Sequence, residues 1–234
     1  HLALPRSAMS AAKDALSVAY LRVLVQSDPH NVPLRLSFVQ LLTEAGMTDE
    51  AVSAIGPLQR ASESESALVY EIQLADLKLS LQRLYQHPGG EMEEAVRSHI
   101  AGLIPSLMRM ARNDRELNQV VALAEQFGEP SVLAGTFERL ITLRDESNEK
   151  KSRWLVSAAN QRMAAAQPRL AARNLCQAFL LEPARDAKRQ IAKSCLRAYL
   201  QAGIDREALK AAVQVQQTVD GDAELSLLAA NIAE

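Results

Sequence analysis

Residues 36–51, LSFVQLLTEAGMTDEA, and residues 193–208, KSCLRAYLQAGIDREA, carry one layout twice. Each reads as a helix ending in Ala-Gly, a short polar turn, and a second helix opened by an acidic residue and alanine. Gly46 and Gly203 both stand five residues before an alanine, Ala51 and Ala208. Glycine suits the turn because a Cβ resists the left-handed backbone needed there, and alanine lets two helices approach closely. Gly90-Glu91-Met92-Glu93-Glu94-Ala95 reads as a third copy. The second helices close alike too, as Leu21-Arg22-Val23-Leu24-Val25-Gln26-Ser27-Asp28-Pro29 and Leu175-Cys176-Gln177-Ala178-Phe179-Leu180-Leu181-Glu182-Pro183 show, with proline as the stop.

Outward from these segments the grammar is the same. Turn signals fall at residues 28–31, 45–48, 87–90, 127–130, 182–183 and 202–205, and between them apolar residues recur three and four apart. The spacing predicts twelve helices, at 9–27, 33–45, 48–60, 65–86, 91–111, 114–127, 131–144, 149–165, 168–181, 186–202, 205–218 and 222–233. Acids at Asp49, Glu50, Asp205 and Glu207 suit the positive ends of their helices. Between Glu63 and Arg112 the helices run long, and Gly102 and Pro105 are expected to interrupt the second of them. Roughly a third of the 234 residues are Ala or Leu and 4% are aromatic, which leaves little material for a sheet. The fold class is all-α.

The spacing resembles the tetratricopeptide repeat, a helix-turn-helix unit with small and aromatic residues at fixed places and a closing proline. Gly46, Ala51, Tyr199, Gly203, Ala208, Pro29 and Pro183 occupy matching places. The resemblance implies an α-solenoid of antiparallel helix pairs wound as a right-handed superhelix, with residues 1–234 forming one segment of about six repeats that diverge most at 63–112. It departs from the pattern at Leu133, where a small residue is expected, and at Trp154, one place early. Trp154 is read as core between repeats. The start at His1 and the stop at Glu234, inside an apolar helical pattern, lead to the expectation of a piece cut from a longer array.

Arrays of this kind are binding modules whose first helices line a concave face. On that face Gln40, Glu44, Asn118, Gln119, Arg153, Asn160, Lys193 and Arg197 are the candidate contacts for a partner. The resemblance also brings to mind the clamp that holds acidic C-terminal peptides. Its places here carry Asn118, Ala122, Ser157, Gln190 and Ser194, so that ligand is not expected. From Glu44 to Glu94 ten acids, including Glu63, Glu65 and Asp76, face three bases. Between Lys150 and Leu200 the balance reverses, eleven bases against Glu182 and Asp186. Solvated helix faces explain such runs, and the sharper reading is a basic end that docks an acidic protein surface.

Other functions find little support. A net charge of −2 gives no reason to seek nucleic acid, and no apolar run approaches the length that spans a bilayer. No phosphate loop, H-E-x-x-H or G-x-S-x-G motif occurs, so neither an enzyme nor a cofactor is expected. Cys176 and Cys195 have no histidines near them in sequence, which disfavours a metal site. A disulfide stays open beside the reading of two thiols packed as small hydrophobes. The texture is similar to the periplasmic repeat scaffolds of bacterial exopolysaccharide export proteins of the Pel and cellulose type. That similarity implies a partner protein such as a periplasmic polysaccharide-modifying enzyme, polymer contact as a further role, and no membrane contact by this segment. The alternative is a regulatory or signalling sensor that binds a peptide or small effector.

Overall fold

The computed structural model describes residues 6–61, 68–89, 92–203, 205–218 and 221–233, with side chains from Ala15 onward except that of Ala61. His1, Glu63, Glu65, Gly90, Glu91 and Ile204 lie outside the described residues. Among these residues the structure is all-helical: α1 (Arg6–Ser27), α2 (Val32–Glu44), α3 (Thr48–Ala61), α4 (Val69–Gln86), α5 (Glu93–Met110), α6 (Asp114–Phe127), α7 (Pro130–Leu143), α8 (Asn148–Ala164), α9 (Pro168–Leu181), α10 (Arg185–Ala202), α11 (Arg206–Thr218) and α12 (Ala223–Ala233). The contacts divide the chain into two compact units, His1–Leu123 and Ala124–Glu234.

In the first unit each helix from α1 to α5 packs on its chain neighbour, and α2 also touches α4. In the second, α7 to α12 do the same, and α10 touches α12. Short turns force the paired helices antiparallel, and the skip contacts stack one first helix on the next, as expected of a helical repeat. One core runs through Phe38, Leu42, Ala51, Ile55 and Leu79. The other runs through Ala171, Leu175, Phe179, Leu196 and Val215.

The paired motif works as its residues predict. Gly46 and Gly203 adopt φ of 75° and 91°, and Ala51 and Ala208 are fully buried. A further copy lies between α8 and α9: Ala171 is fully buried, and five residues before it Ala166 takes the turn at φ 56°. Asp205 caps α11 by accepting the backbone N–H groups of Glu207 and Ala208 at 2.8 and 2.9 Å. Thr48, by contrast, is the first residue of α3 and gives its hydroxyl to Gln86 at 2.9 Å.

Two expectations change and one open alternative closes. Pro105 does not interrupt its helix, because Ile100, Ile104, Leu107 and Met108 are buried on both sides of it and carry α5 through. Ala95 is exposed, so the third copy of the motif does not make the close helix contact of the other two. Cys176 and Cys195 are joined as a disulfide, with Cα atoms 5.6 Å apart, tying α9 to α10. Closing this 19-residue separation stabilises the fold by about 3 kcal/mol in the chain-entropy account. Trp154 is half-buried, with the Lys150 ammonium 5.5 Å from its ring centroid.

Polar groups brace α7, α8 and α9. Arg162 grips Glu138 at 2.7 and 3.0 Å and donates to Gln167 at 2.8 Å, while Asn174 donates to Glu138 at 2.7 Å. Burial pushes the Glu138 carboxyl up, but the hydrogen bonds from Arg162 and Asn174 and the charge of Arg162 outweigh it and hold the group below its ordinary range. A depressed carboxylate contributes stability that is present above its unfolded pKa and fades as pH falls through the folded one. Glu138→Gln is expected to cost about 1–3 kcal/mol at neutral pH, between the values for exposed and buried pairs. Urea titrations should show that this difference shrinks as the buffer is taken below the ordinary carboxylate range. Ala166→Gly should act in the other direction, raising stability by about 0.5–1 kcal/mol through relief of the left-handed strain at an exposed turn. A melting temperature below that of the parent protein would contradict it.

Candidate binding grooves

The first helices α8 and α10 flank a groove of about 360 Å³. Leu175 of α9 forms its floor, and Val156, Met163, Ile191 and Ala198 give it apolar walls. The polar groups are mainly uncharged: Asn160, Gln190, Ser194 and Gln201 are all exposed, with Arg197 the one ionised side chain of the lining. The floor is placed by the buried core beneath it, where the Cys176–Cys195 disulfide links the residues next to Leu175 and Ser194.

Of the residues singled out in the sequence, Asn160 and Arg197 meet in this groove. Arg197 also pairs with Glu224 of α12. Lys193 does not line it, because its ammonium is taken by Asp222 at 3.0 Å and Glu224 at 2.8 Å. The hydrogen bonds that Lys193 donates to those two carboxylates raise its pKa above the ordinary value. Arg153 is exposed and pairs with Glu149 one turn earlier. Gln40 and Glu44 lie exposed on α2, and on α6 Asn118 is exposed and Gln119 half-buried. Those four belong to the first unit.

Most of the basic run at 150–200 is therefore matched at short range. Lys150 meets Glu146 at 2.7 Å, Lys151 meets Asp145 at 3.8 Å, Arg169 meets Asp205 at 2.7 Å and Arg173 meets Glu207 at 2.6 Å. Such pairing leaves less free field for a partner than the sequence count implies.

The first unit holds a second groove, about 270 Å³, between α3 and α5 over α4. Ala95 lines it where the regular motif would bury an alanine. At its base is Asp76, 7% exposed, which accepts hydrogen bonds from Gln59 at 2.8 Å and Ser80 at 3.4 Å and meets His99 Nε2 at 2.9 Å. The carboxylate thereby joins three helices. Counted in the sequence as one acid among ten, Asp76 had a sharper signal in its neighbours. Ala75, Leu77, Leu79 and Leu81 surround it, and an acid inside an apolar run has to find donors. Tyr70 on the same helix is also buried and donates to the Glu116 carbonyl at 3.2 Å, and burial pushes its phenol up to about 12.

Among the described residues no group of three or more His, Cys, Asp or Glu converges as a metal site, and no helix is long and apolar enough to cross a membrane. No family model matches the chain, and no curated protein or solved structure matches it either.

Replacing Asp76 by alanine removes the acceptor shared by Gln59 and Ser80 and is expected to cost about 1–3 kcal/mol, the penalty of unmade buried hydrogen bonds. His99→Ala should cost less than half as much, since the imidazole is 47% exposed and can turn to water. Chemical denaturation of the two variants side by side checks the order.

Proposed function

We propose that the chain is a non-catalytic scaffold that recruits a partner protein, and that an extended segment of the partner lies in the groove between α8 and α10. The lining of that groove carries the reading. Its apolar floor and walls can take a side chain, while the amides of Asn160, Gln190 and Gln201 offer both donors and acceptors to a peptide backbone. Strongly charged ligands fit less well, because the nearby cations are engaged within the chain.

Within that class we place the chain in a bacterial exopolysaccharide export complex, holding a periplasmic polysaccharide-modifying enzyme and helping to guide the polymer. The resemblance of its repeats to such scaffolds motivates this step. The disulfide between α9 and α10 supports an oxidising compartment, where such bonds form and persist.

Asn160→Glu combined with Gln201→Glu places two like charges on exposed positions of the groove without touching the core. In affinity capture from the native host, this variant is expected to retain at most about a tenth of the partner, a loss of roughly 1.4 kcal/mol. Its helical circular dichroism and melting temperature should match those of the parent protein. Undiminished capture by the folded variant would remove the groove from the binding surface.

A further inference from the structure

Helix α11 repeats a face that α9 also presents. Aligning Ala171 with Ala208, both fully buried, places Arg169 on Arg206 and Arg173 on Lys210. On α9 both cations are used on the opening of the next second helix: Arg169 meets Asp205 at 2.7 Å, and Arg173 grips Glu207 at 2.6 and 2.8 Å. The first unit has the same device. There Arg22 of α1 grips Glu50 of α3 with two bonds of 2.8 Å, and Glu50 directly precedes Ala51 as Glu207 precedes Ala208. In both units, then, an arginine on one second helix engages the Glu-Ala opening of the next.

On α11 the cations are present without their acids. Arg206 and Lys210 are exposed, and no acidic partner lies against either among the described residues. Beside them Leu209 and Val213 are 41% and 53% exposed, and the four side chains help to line an open groove of about 500 Å³. The counterpart of Leu209 on α9 is Ala172, which is fully buried. A face with unmatched cations and uncovered apolar side chains, built on the plan of one that is covered, has the form of an interaction surface.

We propose that this face docks a helix of a further repeat, one whose first turn carries two carboxylates in the order Asp-x-Glu-Ala. The two carboxylates would meet Arg206 and Lys210 as Asp205 and Glu207 meet Arg169 and Arg173, and the small residues that follow would cover Leu209 and Val213. A second copy of the chain offering α1 fits less well, since Arg6 and Lys13 leave that helix with Asp14 as its one acid.

The probe is a peptide of residues 205–218, DREALKAAVQVQQT, stapled by a lactam on its outer face so that helix formation does not limit binding. Titrated into the isotopically labelled chain at low salt, it is expected to shift the amide resonances of α11 in a saturable way. Affinity should fall at least tenfold for a peptide carrying Asp205→Asn and Glu207→Gln, and equally for a chain carrying Arg206→Glu and Lys210→Glu. Both chain positions are exposed, and an unchanged melting temperature confirms that the variant is folded. Absence of shifts up to about 1 mM peptide, the weak end of specific recognition, overturns the proposal. So does an affinity indifferent to these charges, or self-association of the chain through α11 that the peptide cannot displace.

Discussion

The close approach of paired helices at alanine is the constraint on which the rest of the structure depends. Ala51, Ala171 and Ala208 stand in the first turn of α3, α9 and α11, and each is fully buried. A larger side chain there would push the helices apart and lift the second helix off the stack. The fixed five-residue interval back to the turn then sets where the chain must reverse, which is why the same place needs positive φ in Gly46, Ala166 and Gly203. Registry in turn decides which side chains of one second helix reach the opening of the next, so the arginine–glutamate bridges follow from the alanine contact.

Much of this fold is legible in the sequence because the decisive signals are local. Periodicity and turn residues place all twelve helices within a few residues of their observed ends. The failures occur where tertiary packing overrides a local rule. Pro105 lacks an N–H and ought to break α5, yet four buried apolar residues hold the helix continuous across it. Ala95 has the right neighbours in sequence but sits in the long central repeat, where it faces a groove instead of another helix. Ala166 is not legible as a turn because alanine rarely adopts a left-handed backbone, although its interval to Ala171 matches that of Gly46 to Ala51.

The candidate sites are less legible, since pairing across helices is invisible to a count of charges along the chain. Of the four groove candidates in the second unit, Asn160 and Arg197 share one lining, while Lys193 and Arg153 are bound to acids of the chain itself. Lys193 and Arg197 belong to α10 but are answered by the first turn of α12, 25 or more residues away in sequence, and only stacking brings them together. Asp76 shows the converse. One acid among ten on a nominally solvated stretch proves to be buried and shared by side chains from three helices.

These pairings change what the charge distribution can do. A basic segment most of whose cations pair with carboxylates of the chain presents alternating dipoles, and their field dies away over a few ångströms beyond the surface. In the reading proposed above, recognition in the α8/α10 groove would rest on shape and on neutral amides, which discriminate by hydrogen-bond geometry and depend little on salt. Charge can still select a partner where the pairing stops. Its strongest remaining effect is expected on a face such as that of α11, where the cations sit beside uncovered leucine and valine and their attraction is strengthened as an arriving helix excludes water.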